Sequence, residues 1–160
     1  MPCPLTRSLE SGYLSLPMSE GDRSSPHGIR GLWHLALKVS NLSRSRAFYS
    51  EIFGMRVIWE PDAQNAYLSS GADNLALHQV PEAERGAVLA HSPQRLDHLG
   101  FIMETVESVD RLFRVVVERG ILVVQPPRLH RDGSYSFYLA DPDGNVVQAL
   151  YEPHASPMKD

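Results

Sequence analysis

The chain has one cysteine, Cys3, in 160 residues, which excludes an intrachain disulfide and any multi-thiolate metal site. A lone thiol also suits a reducing compartment. No apolar run approaches the roughly 18 to 20 residues that span a bilayer, and residues 1–30 contain no apolar stretch of the signal-peptide kind. The expected location is therefore the cytoplasm. A formal net charge of −4, with no basic stripe, gives no reason to expect nucleic acid as a partner. The chain also lacks a Walker motif, a Gly-x-Gly-x-x-Gly fingerprint, a Gly-x-Ser-x-Gly elbow and a cysteine–histidine nucleophile pair. What remains is a globular chain, 42% apolar, long enough to bury a core and suited to a small-molecule partner.

Residues 1–30 are rich in Pro, Ser and Gly without periodicity, and they read as a flexible tail, as do residues 153–160. Between them one pattern runs twice. A strand to Val39 precedes a helix capped by Asn41 or Ser43 and stopped by Gly54, and three strands follow at 55–60, 66–69 and 75–80. After a connector over 81–95, with a short helix near 87–90, the order returns. A strand over 96–103 leads to Thr105 as a cap and to Val109, Leu112, Phe113 and Val116 as an apolar helical stripe. Gly120 stops that helix, a strand over 121–124 ends at Pro126 and Pro127, and two last strands flank the turn Asp141, Pro142, Asp143 and Gly144. The expectation is an α+β fold: two βαβββ modules, 31–80 and 96–152, paired as curved mixed sheets around a cavity.

The repeat singles out polar residues. His34 and His98 occupy matching places in the first strands, 64 residues apart. Aligning the last strands at an offset of 70 pairs His78 with Gln148, whereas a shift of two puts Ala76 in that slot. A strand histidine taken singly is more often a hydrogen-bonded structural residue, and Gln148 could bond a neighbouring backbone group. As a set, imidazoles and an amide oxygen suit a divalent ion such as Fe, Ni, Co, Mn or Zn. Gln148 lies among Val146, Val147, Ala149 and Leu150, where a polar group needs a partner. Nearby, His130 could move a proton and Tyr138 could donate to an oxyanion. Arg128 and Arg131 could hold an anion, or simply be solvated. The aromatics Trp33, Trp59, Tyr67 and Tyr135 are compatible with a metal-free binding cavity.

The segments Leu35–Val39, Arg46–Met55 and Phe137–Asn145 together resemble the vicinal oxygen chelate superfamily, which holds glyoxalase I, methylmalonyl-CoA epimerase, extradiol dioxygenases, and fosfomycin- and bleomycin-resistance proteins. The resemblance covers residues 31–152. It implies a divalent ion, Fe(II) favoured, held by His34, His98 and the slot of Gln148, where the family usually has glutamate. A further ligand would fall near Ala76 or His78. His130, Tyr138 and the Asp-Pro-Asp-Gly turn follow the extradiol pattern, which implies a dioxygenase with His130 and Tyr138 assisting proton movements. A lyase or isomerase of the glyoxalase or epimerase kind, and a metal-free binding protein, are the alternatives. The family also implies a homodimer.

Overall fold

The computed structural model of the chain describes residues 32–89 and 96–153, all but the first of them in a compact unit that begins at Trp33. The tail expected over 1–30 lies outside the described residues, as does all but the first residue of the one expected over 153–160.

The first module opens with β1 (His34–Val39), in which Leu37 and Val39 are buried while His34, Ala36 and Lys38 are exposed on the other face. Helix α1 (Leu42–Phe53) follows because Asn41 caps it: its side chain accepts the Arg44 N–H at 3.0 Å, a contact that typically stabilises by about 1 kcal/mol. Gly54, at φ 66°, ends α1 in the left-handed conformation that other residues resist. Strands β2 (Arg56–Asp62), β3 (Asn65–Ser69) and β4 (Asn74–Gln79) complete the module in the sheet order β1-β4-β3-β2, with β4 parallel to β1.

The connector carries a single 3-10 turn (Glu82–Glu84) and a five-residue helix α2 (Arg85–Leu89). The second module repeats the first with β5 (Leu99–Ile102), α3 (Val106–Glu118), β6 (Val123–Leu129), β7 (Tyr135–Ala140) and β8 (Val146–Tyr151), in the order β5-β8-β7-β6. Thr105 caps α3, and Val109 and Val116 of its apolar stripe are fully buried. The strands differ from expectation at their ends, and two run on through proline: β2 reaches Asp62 through Pro61, in place of the expected turn, and β6 reaches Leu129 in the same way. β6 continues through Pro126 and Pro127, because it is a sheet edge with irregular register to either side of Gln125, and an edge tolerates residues that lack an N–H. No helix among the described residues is long and apolar enough to cross a membrane.

Both sheets bury the face that carries Leu37, Leu77, Leu139 and Val147 against the helices, in one shared core. The modules are joined there. Phe53 of α1 stacks on Phe101 of β5 with ring centroids 4.2 Å apart. At the start of α1, the buried Asp143 carboxylate accepts from the Ser40 N–H at 3.2 Å, the Ser40 hydroxyl, the Arg44 guanidinium at 3.1 Å and the Ser45 hydroxyl at 3.0 Å. The buried Tyr49 hydroxyl donates to Asp141 at 2.8 Å. The Asp-Pro-Asp-Gly turn is thus a clamp between modules, and it sets where β8, and Gln148 on it, begins.

Candidate metal centre on the open sheet faces

Strand register decides which side chains share a face. In the first sheet Ala36 pairs with Ala76, and Ala76 with Tyr67. In the second, Gly100 pairs with Gln148, and Gln148 with Tyr138. His34 lies two residues before Ala36 and His98 two before Gly100, so alternation puts each histidine on the face of its rung. The equivalent of Gln148 is therefore Ala76, at an offset of 72. The offset of 70 that paired His78 with Gln148 does not hold; His78 lies one rung further on, opposite Lys38 and Asn65. Tyr67 is the counterpart of Tyr138.

The second sheet brings four of the expected residues together. Gln148 Nε2 donates to the Ser136 and Tyr138 hydroxyls, each at 2.9 Å. The His130 Nε2 lies 2.8 Å from the Ser136 hydroxyl, and the His98 ring meets the Tyr138 ring edge-on at 5.3 Å. The amide nitrogen is committed to two hydroxyls, which leaves Oε1 to face outward over Gly100. A Cβ at residue 100 would sit 3.4 Å from that oxygen, so glycine keeps the approach to it open. Ser136, fully buried, links Gln148 to His130. It stands two residues before Tyr138 on the same strand face, which is the signal by which sequence alone could find it.

On the first sheet His34 Nδ1 lies 2.5 Å from Asn74 Oδ1, and His78 Nδ1 lies 2.5 Å from Asn65 Oδ1. On the second, His98 Nδ1 lies 2.6 Å from Asp97 Oδ2. These oxygens only accept, so Nδ1 is the donor in each ring, and the neutral form of each presents a bare Nε2. An acceptor behind the ring in this way prepares an imidazole to bind a cation through Nε2. Imidazole nitrogens and an amide oxygen are ligand types that suit a borderline divalent ion. No hydrogen bond or ring contact joins His34 or His78 to His98, Gln148 or Tyr138 among the described residues, and no three His, Cys, Asp or Glu side chains there cluster to hold a metal. A hollow of about 540 Å³ lies elsewhere, between Phe48, Leu89, Ile121 and the Asp141–Gly144 turn, and none of the expected site residues lines it.

The sequence profile of the Glyoxalase/Bleomycin resistance protein/Dioxygenase superfamily matches residues 31–149. The chain belongs to this superfamily. Among superfamily relatives, it is 32% identical to the 2,2',3-trihydroxybiphenyl dioxygenase of Sphingomonas paucimobilis over 127 residues, which cover 76% of this chain but only 41% of that enzyme. It is 27% identical to the metallothiol transferase FosB of Shouchella clausii, over 75% of this chain and 79% of the relative. The crystal structure of the lactoylglutathione lyase from Agrobacterium tumefaciens shares the superfamily fold, with a TM-score of 0.61 and 24% identity over 77% of this chain and 94% of that one. The names span three reaction types, so the superfamily assignment fixes the fold and leaves the reaction to the site.

Proposed function

We propose that the chain is a cytoplasmic, metal-dependent enzyme that acts on a small molecule bearing vicinal oxygens, by extradiol-type dioxygenase chemistry. The observation that carries this is the rung Gly100–Gln148–Tyr138 set against its counterpart Ala36–Ala76–Tyr67. Only one of the two rungs offers a ligand, so the set is His34, His98 and Gln148, three neutral donors that leave the rest of an ion's coordination sphere to substrate. A bound divalent ion would supply polarisation of the substrate oxygens and, as Fe(II), redox capacity toward O₂. The chain's own residues do the rest. Tyr138 accepts its hydrogen bond from Gln148, so its own proton is available to a substrate oxygen, and His130, held through Ser136, can take up or return a proton.

The glyoxalase-like reading needs a fourth ligand in the slot of Ala76, and a methyl group supplies none. A metal-free binding protein draws support from the exposed rings of Trp33 and Trp59. A homodimer is supported by exposed apolar residues on two of the four edge strands, Val57 and Ile58 on β2 and Val124 and Leu129 on β6. Metal analysis of full-length protein purified without chelator tests the proposal. Iron is the expected outcome; nickel, cobalt or zinc would move the assignment to lyase or isomerase chemistry, and metal-free protein that also fails to take up added Fe(II) would support the binding protein.

A further inference from the structure

Asp62 is the fixed point of a hydrogen-bond chain that ends on His78. It accepts the Gln64 N–H at 2.8 Å and the Asn65 Nδ2 at 2.8 and 2.9 Å. The backbone bond from Gln64, then the Asn65 amide, hold its carboxyl below the ordinary carboxylate value. Ionised, it can only accept, so Asn65 must turn its NH₂ to Asp62 and its Oδ1 to His78. That oxygen also only accepts, which places the His78 proton on Nδ1 and leaves a lone pair on Nε2. The His78 ring stands edge-on to Tyr67, with centroids 5.8 Å apart, and Tyr67 lies 4.8 Å from the exposed ring of Trp59. On the other side, Lys38 is the register partner of His78, exposed and without an ion pair among the described residues. An acceptor, a cation and an aromatic wall therefore share one corner of the open face. It lies four residues along β1 from His34, or roughly 13 Å.

We propose that this corner is a recognition subsite for a hydroxyl on a planar π-system, a phenol or enol, separate from the His34 end and resting on the reading that the open face is where substrate lies. The hydroxyl donates a hydrogen bond to His78 Nε2, the Lys38 ammonium donates to a lone pair of the same oxygen, and the ring packs against Tyr67 and Trp59. A carboxylate brings no proton for Nε2, and an ammonium meets Lys38. A substrate that used both ends of the face would carry its vicinal oxygens at one end and this hydroxyl at the other.

The test uses the full chain with Trp33→Phe, so that fluorescence reports Trp59, and phenol, anisole and benzoate as probes. Phenol is expected to quench saturably, with anisole and benzoate roughly ten-fold weaker. His78→Ala should abolish the preference for phenol over anisole and leave the metal content unchanged. Equal binding of phenol and anisole, a preference that survives His78→Ala, or loss of metal in that variant would each overturn the proposal. Long-range nitrogen–proton NMR of the unmodified chain at alkaline pH supplies a check that needs no variant: the Nδ1–H tautomer of His78 is expected, and the Nε2–H tautomer refutes it. Chelator-treated protein should discriminate equally well, so failure of the metal assignment would leave this result standing.

Discussion

Replacing Asp143 by alanine tests whether the turn clamp holds the two modules together. The carboxylate is about 1% exposed and accepts from four donors on Ser40, Arg44 and Ser45. Their contributions differ. Arg44 is 48% exposed and returns to water when its partner is lost, so its ion pair contributes under about 1 kcal/mol. Ser40 and Ser45 are buried, and donors stranded there cost roughly 1–3 kcal/mol each, less whatever the vacated space recovers by admitting water. The expected loss for Asp143→Ala is therefore about 3 kcal/mol, toward the lower end of the cost of breaking a buried ionic contact. For a domain of this size that lowers Tm by roughly 10 °C. Urea titration with far-UV circular dichroism, at matched m-values, measures it. A loss below about 1 kcal/mol would mean that the apolar contact of Phe53 on Phe101 holds the modules without the clamp. Asp143→Asn, which keeps an acceptor oxygen, should fall between the two.

Two further outcomes are expected from neighbouring residues. Burial, and then the negative charge of Asp141, hold the Tyr49 hydroxyl well above its ordinary value near 10. Its stabilising contribution is complete below pH ~10 and is lost as pH rises toward the folded-state value, because the unfolded chain releases that proton first. Wild-type stability should thus fall by up to about 1.4 kcal/mol per pH unit above pH ~10, and Tyr49→Phe should lack that component of the slope; equal slopes in urea titrations would contradict the assignment. Gln148→Glu would let the Ser136 and Tyr138 hydroxyls donate to a carboxylate and add a negative ligand. Even with water-like screening this gives about 2 kcal/mol toward a divalent ion, or roughly thirty-fold tighter binding. Competition titration with a metal-sensing dye reads it, and unchanged or weaker binding would argue that residue 148 does not touch the ion.

The fold was legible because several local signals agreed: Asn41 and Gly54 at the ends of α1, the stripe on α3, and a turn built of Asp, Pro and Gly. The matched placement of His34 and His98 was legible for the same reason, since each sits in a Leu-x-His-Leu context. The last strands were not. A shift of two residues leaves every side chain on its original face, so apolar alternation cannot choose between His78 and Ala76 as the partner of Gln148. Only the hydrogen-bond register chooses, and it depends on where β1 and β5 lie beside β4 and β8. The oxygens that fix the imidazole tautomers, on Asn74 and Asn65, were equally hidden, because their roles come from cross-strand pairing rather than from spacing. Pro126 and Pro127 misled for a related reason: whether a strand can carry proline depends on its being an edge, which sequence order does not reveal.

The proposed chemistry depends above all on His34, His98 and Gln148 holding one divalent ion. Titration of chelator-treated, full-length protein with Co(II), followed by its visible absorption, tests this most directly. Saturable binding is expected in the wild type, with loss of that binding in His34→Ala and in His98→Ala, and unaltered binding in His78→Ala. Saturable binding that persists in both His34→Ala and His98→Ala, or that vanishes only in His78→Ala, would contradict it.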